Sequence, residues 1–311
     1  MRHEDVLGLI GNTPLVGVHQ LSPNPDVRIY AKLEGQNPGG SAKDRIALRM
    51  VQLAEEQGAL RPGDTILEPS SGNTGIGLAV VAKVRGYKLR VVMPENVSVE
   101  RRQLLDIFGA EIVDSPATEG SNGAIRLSEK LAAEDPSLVT LFQYGNPANP
   151  LAHYEHTGPE IWADCPEVDV FVAGLGTSGT LMGVGRYLRE RKPGVQIVAV
   201  EPPAGELVQG LRSLDDGFVP PIFDPAMLDR KFIVRPRESI EWLRRLLDDC
   251  GVFAGVSSGA AIAGAAKMAA QMTSGTIVTL LPDAGWKYLS SGAWTDDLDE
   301  VVERATRINY W

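Results

Sequence analysis

A lysine occupies a chemically unusual place in the segment NPGGSAKDR, residues 37–45. Ser41 can cap a helix, with Asp44 three residues later. Apolar residues then continue at helical spacing, at Ile46, Met50, Leu53 and Ala54. Lys43 therefore falls in the first turn of the predicted helix, where the helix dipole disfavours an ammonium ion and lowers the pKa of the amine. Because Schiff-base chemistry needs a neutral amine, Lys43 is a candidate catalytic residue.

A second candidate site is the turn SSGNTG, residues 70–75, which follows a predicted strand and opens a predicted helix. Small residues let backbone amides approach a ligand closely there. Short polar side chains add hydrogen-bond donors at Ser70, Ser71, Asn73 and Thr74. Since α/β sheets bind anions and ligands at such turns, this one is predicted to hold a carboxylate or a phosphate.

The turn AGLGTSGT, residues 173–180, has the same context and allows two interpretations. Its glycines fit the G-x-G-x-x-G pattern of dinucleotide-binding folds, and Glu201 ends the next strand at a distance suited to a ribose. These glycines are Gly174, Gly176 and Gly179. Its hydroxyl groups instead favour a compact cup for a phosphate monoester, and they belong to Thr177, Ser178 and Thr180. The turn lies midway along the chain, whereas dinucleotide-dependent enzymes usually carry theirs in the opening βαβ unit.

These turns require a scaffold of alternating strands and helices. Two short β-like segments are predicted at 15–18 and 27–33. A first series of apolar strands follows at 65–69, 89–94, 110–115 and 139–143, and a second at 168–174, 195–202, 231–236 and 275–283. Amphipathic stretches separate them, which is typical of parallel sheets covered by helices. Glycine and prolines interrupt the pattern at 144–154, which predicts two α/β lobes with a site between them.

The composition narrows the class of protein. The chain has 311 residues and a formal net charge of -10, which opposes general binding of nucleic acid. Its two cysteines, Cys165 and Cys250, are far apart and belong to no zinc-binding pattern, so both are expected to be core thiols or helix-end residues. The sequence shows no secretory signal pattern and no run of about 18 apolar residues, so a cytoplasmic location without membrane association is expected.

Taken together, these features predict one chemistry. A lysine of lowered pKa, a turn for a carboxylate and a cup for a phosphate in a two-lobed α/β chain are typical of a pyridoxal-phosphate enzyme. The lysine would bond to the cofactor, the first turn would bind the substrate carboxylate, and the cup would bind the cofactor phosphate.

Five ordered motifs resemble one family of such enzymes. NPGGSAKDR, SSGNTG, AGLGTSGT, FAGVSSGAA and LPDAGWKYLSSGAW are similar to the cysteine synthase and cystathionine β-synthase family, whose members have the two-lobed fold of fold-type II pyridoxal-phosphate enzymes. Within it, ENVSVERRQLL, FQYGNPAN, LRSLDDGFVP and GWKYLS most resemble the actinobacterial O-phosphoserine sulfhydrylase branch. The resemblance implies a homodimer, with a large cofactor-binding lobe at residues 1–43 and 150–311. It also implies a small mobile lobe at residues 44–149.

The resemblance also implies roles for individual residues. Lys43 would form the Schiff base with the cofactor, and Asn73 would contact the 3'-oxygen of its ring. The phosphate cup would consist of Gly176, Thr177, Ser178, Gly179 and Thr180. The substrate α-carboxylate site would consist of Ser70, Ser71, Gly72, Thr74 and Gln143. No metal is expected in the site.

Two further positions decide the chemistry. Many relatives carry serine after the aspartate of the PD motif, to meet the pyridine nitrogen, but this chain has Ala284 there. Ser257 is assigned to the nitrogen instead, with Asp283 as the alternative. A serine leaves the nitrogen largely unprotonated, which suits β-elimination over transamination.

Arg212 corresponds to an arginine that holds the substrate phosphate, because its planar fork can bind two phosphate oxygens. Without the resemblance, pairing of Arg212 with Asp215 or Asp216 would be the simpler interpretation.

The predicted activity is the synthesis of L-cysteine by β-replacement. O-phospho-L-serine would be the amino-acid substrate, and a thiocarboxylated ubiquitin-like sulfur carrier protein or sulfide would be the sulfur donor. The terminal Tyr310 and Trp311 would cover the cleft as a lid, unless they pack at a dimer edge. The nearest alternative is an O-acetylserine sulfhydrylase that uses sulfide. A nicotinamide-dependent dehydrogenase and a non-catalytic regulatory family member are more distant alternatives.

Overall fold

A six-stranded sheet and a four-stranded sheet form the framework of the computed structural model. The structure describes residues 2–70 and 72–307, with the backbone alone for 305–307. The strands are β1 (Leu15–Gly17), β2 (Val27–Leu33), β3 (Thr65–Pro69), β4 (Lys88–Pro94), β5 (Glu111–Ser115), β6 (Leu138–Thr140), β7 (Val170–Gly174), β8 (Gln196–Glu201), β9 (Arg230–Ile233) and β10 (Gly275–Leu281). Every predicted strand is present, with its ends shifted by at most a few residues. The predicted α/β class with parallel sheets is confirmed.

The larger sheet has the strand order β1-β2-β10-β7-β8-β9. Its β1 and β2 are antiparallel, and all its other pairs are parallel. The central strands β7 and β10 are apolar along nearly their whole length, because helices cover the sheet on both faces. This sheet therefore provides a rigid platform for the turns at its carboxyl edge.

The smaller sheet is entirely parallel and has the order β5-β4-β3-β6. Its four strands all lie within residues 44–149, the segment assigned to the small lobe. Its apolar core joins Ile46 and Met50 to Ile76 and Val91. That this lobe moves as a unit stays a prediction.

The helices alternate with the strands. They are α1 (Lys43–Glu56), α2 (Asn73–Arg85), α3 (Val99–Phe108), α4 (Gly120–Glu134), α5 (Ala148–Ala152), α6 (Gly158–Asp164), α7 (Gly179–Arg191), α8 (Pro236–Cys250), α9 (Val256–Ala269) and α10 (Leu298–Arg307). A π-helical turn, His153–Thr157, joins α5 to α6, and Gly285–Ser291 forms a 3₁₀ segment. No helix in the described ranges combines the length and the apolar character needed to cross a bilayer.

Three helices begin directly after strands or turns that face one cleft. α2 begins after the turn that follows β3, α7 begins after the turn that follows β7, and α1 begins next to the end of β10, where the Ala42 N–H donates to the Pro282 carbonyl at 2.8 Å. Helix N-termini at the carboxyl edges of parallel strands are sites where anionic ligands bind. The fold thus brings together the segments that the sequence singled out.

The cysteines lie as predicted. Cys165 is buried at the end of α6, and Cys250 is the partly buried last residue of α8. Both are free thiols. Burial raises the pKa of the Cys165 thiol to about 12. The described residues contain no group of three or more His, Cys, Asp or Glu side chains placed to hold a metal ion.

Candidate active site

A cleft with about 700 Å³ of empty space opens between the turns of the two sheets. A second hollow of about 410 Å³ adjoins the cleft, and Lys43, Gly176 and Thr177 line both of them. The predicted site residues that line the cleft are Lys43, Ser70, Gly72, Asn73, Thr74, Gln143, Gly176, Thr177, Arg212 and Ser257. Ser178 and Thr180 line the adjoining hollow. Ser71, Tyr310 and Trp311 lie outside the described residues.

Lys43 is the first residue of α1 and projects into this cleft. Burial lowers the pKa of its amine, while the nearby carboxylates of Asp283 and Glu34 act in the opposite direction. Burial thus adds to the helix dipole, which is the only cause of this shift that the sequence predicts. The result is the same, because both effects favour the neutral amine.

The start of α1 differs in one detail from the prediction. Ala42, and not Ser41, occupies the N-cap position, although the Ser41 hydroxyl accepts a hydrogen bond from the Lys43 N–H at 3.2 Å. The Asp44 carboxylate reaches back to the Gly39 N–H at 2.5 Å, and burial raises the pKa of Asp44 to about 6. This contact ties the glycine-containing segment before the helix to its first turn and so fixes the direction in which Lys43 points.

The turn between β3 and α2 lines the cleft with Ser70, Gly72, Asn73 and Thr74. Ser70 stabilises it, since its hydroxyl accepts from the N–H groups of Gly72 at 3.3 Å and Gly75 at 3.1 Å. Thr74 donates its hydroxyl to Gln143 at 2.6 Å, which connects this turn to the segment after β6. The N-terminus of a thirteen-residue helix with a small-residue turn suits a carboxylate ligand.

The turn between β7 and α7 forms a cup. Ser178 adopts a left-handed backbone conformation with φ 71°, and its buried hydroxyl oxygen has no hydrogen-bond partner among the described residues. Thr177 Oγ1 accepts from the Asn149 side-chain amide at 3.0 Å. A methyl group on Gly179 would lie 1.8 Å from Asn149 Oδ1, so only glycine fits there. An open buried hydroxyl, free backbone amides and a helix N-terminus fit the phosphate group of a cofactor.

Asn73 and Ser257 line the same cleft as Lys43. Ser257 is buried in the first turn of α9 and lines the cleft. Asp283 is also buried, but its Oδ2 already accepts from the Asn73 side-chain amide at 2.7 Å and from the Tyr288 hydroxyl at 2.5 Å. Of the two candidates for a ring nitrogen, Ser257 lines the cleft, whereas Asp283 is not among the residues that line it.

Arg212 is buried, and it has no acidic partner in the described part of the chain. Its guanidinium lies 4.6 Å from the ring centroid of Phe218 and 5.4 Å from that of Tyr144. Its Nη1 is 3.5 Å from Asn122 Oδ1, at the limit of a hydrogen bond. Within residues 2–70 and 72–304, Arg212 forms no ion pair with Asp215 or Asp216, so the simpler interpretation of this arginine is wrong. Its charge faces the cleft.

The sequence analysis missed several residues of the cleft. Arg101 and Tyr144 line it, as does Ser121, whose hydroxyl oxygen is buried and has no partner among the described residues. Lys287 donates to Asn73 from a fully buried position. The motif GWKYLS contained Lys287, but nothing in its spacing indicated that the amine would reach the site.

Glu201 does not serve a dinucleotide. Its carboxylate is fully buried, pairs with Lys231 at 2.6 Å and accepts from the Leu214 N–H at 3.1 Å. A fully buried carboxylate that is ion-paired and also accepts a backbone N–H is not available to a ribose, so the glycine pattern of the second turn fits the phosphate cup.

A cleft between two mostly parallel sheets, a buried lysine of lowered pKa and a phosphate cup at a helix N-terminus together define a fold-type II pyridoxal-phosphate enzyme. Residues 6–283 match the family model described as "Pyridoxal-phosphate dependent enzyme". The chain belongs to this family, within which its relatives are cysteine synthases, and pyridoxal phosphate is its cofactor. The predicted family, fold class and cofactor are confirmed.

The similarity to individual relatives extends over nearly the whole chain. Cysteine synthase B of Pseudomonas aeruginosa is 41% identical over 295 residues, which cover 94% of this chain and 98% of that protein. The crystal structure of an O-ureido-L-serine synthase is 40% identical, covers 94% of this chain and 96% of its own, and has a TM-score of 0.89. The crystal structure of a cysteine synthase (OASS) from Entamoeba histolytica is 34% identical, covers 99% and 96%, and also has a TM-score of 0.89.

Proposed function

We propose that this protein makes L-cysteine from O-phospho-L-serine. In the net reaction with sulfide, the bond between Cβ and the phosphate-ester oxygen breaks, a carbon–sulfur bond forms at the same carbon, and inorganic phosphate leaves. The observation that carries the proposal is the buried Arg212, whose charge faces the cleft without an acidic partner in the described part of the chain.

A buried cation of this kind suits a dianionic leaving group. A guanidinium can donate two parallel hydrogen bonds to a phosphate, and such charge-assisted bonds are stronger than neutral ones. The N-terminus of α4 lies on the same side of the cleft, where Ser121 and Arg212 line both the main cleft and a neighbouring hollow. The acetyl group of O-acetylserine has no charge for this arginine to bind.

The other residues of the site would bind either the cofactor or the amino-acid substrate. Lys43 would hold the cofactor covalently, Asn73 its ring oxygen and Ser257 its ring nitrogen. The phosphate cup, residues 176–180, would bind its phosphate. When bound, pyridoxal phosphate supplies a conjugated ring that accepts the electrons left at the substrate Cα.

The chain's own residues then move one proton. The turn at residues 70–74, including Ser71, would bind the substrate carboxylate together with Gln143 and so orient the Cα–H bond toward Lys43. Because burial lowers the pKa of the Lys43 amine, this amine would be suited to take the α-proton as a general base and to return it after the sulfur has added. Arg212 would stabilise the charge on the departing phosphate.

The sulfur donor is proposed by resemblance. It is a thiocarboxylated sulfur carrier protein, whose flexible tail would enter the cleft, or free sulfide. A homodimer and a lid formed by Tyr310 and Trp311 belong to the same proposal. Turnover with sulfide and with a thiocarboxylated carrier protein, measured on the full chain and on a chain ending at residue 307, tests the donor and the lid together.

The alternative is an O-acetylserine sulfhydrylase that uses sulfide. The Entamoeba histolytica cysteine synthase (OASS) favours it, because its fold matches this chain along nearly its full length. The O-ureido-L-serine synthase shows that a similar fold also serves a different serine derivative. Substitution of Arg212 is therefore the way to distinguish the two serine esters as substrates.

The decisive experiment compares the two serine esters. Rapid mixing of the enzyme with O-phosphoserine or O-acetylserine, followed by the absorption of the cofactor, gives the rate of the first half-reaction. Removing a charged hydrogen-bond partner costs about 1.5–3 kcal/mol, so Arg212→Ala should slow the reaction with O-phosphoserine by about 10- to 100-fold and leave that with O-acetylserine nearly unchanged.

The control is Arg244→Ala. Arg244 is a partly buried arginine that donates to the Ala293 and Asp296 carbonyls outside the cleft, so its loss should affect both esters equally. A wild-type enzyme that reacts slowly with O-phosphoserine, together with an Arg212→Ala variant that slows neither ester, would favour the acetylserine alternative.

A further inference from the structure

A second buried lysine contacts a residue of the candidate active site. Lys287, in the 3₁₀ segment Gly285–Ser291, has no exposed surface. Its Nζ donates to Asn73 Oδ1 at 2.8 Å, and this is the only hydrogen bond of that amine within the described residues. Its nearest carboxylates, Asp44 and Asp283, are beyond ion-pair distance in this part of the chain, although both raise the pKa of Lys287 against the larger effect of burial.

The contacts of Asn73 fix the orientation of its amide. Oδ1 accepts from Lys287, and Nδ2 donates to Asp283 Oδ2 at 2.7 Å. If the amide were flipped by 180°, its NH₂ group would face the Lys287 amine and its oxygen would face the Asp283 carboxylate, which would place two donors together and two acceptors together. Lys287 and Asp283 therefore allow one orientation only.

This orientation leaves one N–H of Asn73 without a partner in its own network. An amide NH₂ has two hydrogens, and Asp283 takes one of them. Asn73 lines the cleft beside Lys43. The second hydrogen has no acceptor among the described residues, so it is available to donate to a ligand in the cleft.

Burial of a charged amine is unfavourable, and a comparison with Lys32 shows how the contacts of Lys287 differ from those of an ordinary buried lysine. Lys32 is equally buried, but it pairs with Glu160 at 2.8 Å and donates to the Thr13 carbonyl at 2.5 Å. Lys287 has a neutral amide oxygen as its only hydrogen-bond acceptor among the described residues. A buried charge normally requires a paired acceptor, so a lysine kept on a neutral amide indicates a role in that amide's orientation and polarisation.

We propose that Lys287 is a positioning residue for the cofactor: its amine fixes and polarises the Asn73 amide so that the remaining N–H binds the ring oxygen of pyridoxal phosphate. This inference rests on the proposed contact between Asn73 and the cofactor. It assigns to Lys287 no contact with the substrate or the reacting atoms. Its loss should therefore change the affinity and the absorption of the cofactor, not merely the stability of the fold.

The test measures cofactor retention by the holoenzyme. Wild type, Lys287→Met, Lys287→Arg and the control Lys32→Met are dialysed against graded concentrations of pyridoxal phosphate, and bound cofactor and its visible absorption maximum are recorded. Loss of a hydrogen bond to a charged donor should weaken retention by Lys287→Met about 10- to 100-fold and shift the absorption maximum. Lys287→Arg should recover most of the affinity. Lys32→Met should lower the thermal stability without changing either cofactor property.

A double-variant cycle distinguishes a positioning role of Lys287 from a general loss of structure. If Lys287 acts through Asn73, the Lys287→Met change should cost little further affinity in an Asn73→Ala background. Equal costs in both backgrounds, or a Lys287→Met enzyme that retains cofactor like Lys32→Met, would overturn the inference. If Lys287→Met gives no folded protein, Lys287→Gln replaces it, because a shorter neutral side chain cannot bring a charged donor to Asn73. An affinity for the cofactor within about twofold of wild type would then overturn the inference.

The same samples distinguish this inference from the proposed function. If Asn73→Ala retains cofactor as wild type does, the proposed Asn73 contact itself is wrong. If Asn73→Ala loses affinity and Lys287→Met does not, the contact stands and only the role of Lys287 fails.

Discussion

His153 offers a quantitative test of how tightly this site is buried. It lies in the π-helical turn between α5 and α6, where Nδ1 is 3.0 Å from Thr157 Oγ1 and Nε2 is 3.2 Å from Thr180 Oγ1. Burial lowers the pKa of His153 from its ordinary 6.5 to about 3. Lys43 and Arg45 add to this effect, and the carboxylates of Glu34 and Glu160 oppose it.

The sign of the effect on stability follows from this shift. Below the ordinary pKa, the unfolded chain binds a proton at His153 and the folded chain does not, so the free energy of unfolding falls as the pH falls. At about 1.5 pH units below that value, near pH 5, the loss relative to pH 8 is about 2 kcal/mol. The contribution is fully present above the ordinary pKa and decreases down to the folded pKa of about 3.

The assay is urea unfolding at several pH values between 8 and 5, with excess cofactor. His153→Asn removes the titrating group, so the difference in unfolding free energy between wild type and this variant should shrink by about 2 kcal/mol over that range. The exposed His156, on the same turn, supplies the matched control His156→Asn. If wild type and His153→Asn differ by a constant amount at every pH, the imidazole is not held neutral and the argument from burial is refuted.

Three further variants probe the framework of the site. Gly179→Ala places a methyl group 1.8 Å from Asn149 Oδ1 and should weaken cofactor retention in dialysis by at least about tenfold. The control Gly194→Ala, with no atom within 4 Å, should have no effect. Equal retention of the cofactor by both variants would contradict the assignment of this turn as the phosphate cup. Arg45→Met should lower the free energy of unfolding in urea by about 3–5 kcal/mol, because it leaves the Glu34 carboxylate buried without its cation; a loss below about 1 kcal/mol would contradict this. Glu68→Gln should cost about 1–3 kcal/mol in the same assay, since the carboxylate accepts two backbone N–H groups and an amide can accept only one of them; unchanged stability would count against it.

Much of the fold could be predicted because its signals are local. The strand at Val27–Leu33 has the predicted bounds, since its buried apolar residues Val27, Ile29 and Ala31 alternate with other side chains at the two-residue period of a strand. The strand predicted at 139–143 ends instead at Thr140. Beyond it, Glu68 accepts the N–H groups of residues 142 and 143, and Phe142 takes a left-handed conformation with φ 52°. That carboxylate comes from a distant part of the chain, so no local pattern could indicate the change.

The site shows the same division between local and distant causes. Lys43 and the two glycine-containing turns could be found from residue types next to predicted helix starts. The Lys287–Asn73–Asp283 network could not, because Asn73 lies 210 positions before Asp283 and 214 before Lys287 and meets them only in the folded chain. The lowered pKa of Lys43 likewise depends on burial, which the sequence of one helix turn does not contain.

The central claim is that Lys43 carries pyridoxal phosphate. Reducing the yellow holoenzyme with borohydride fixes the cofactor to the amine that holds it, and peptide mapping by mass spectrometry locates that amine. The account predicts a single modified peptide containing Lys43, with the label and the visible absorption band both lost in Lys43→Ala. A label on Lys287 or on a surface lysine, with Lys43 unmodified, would contradict it.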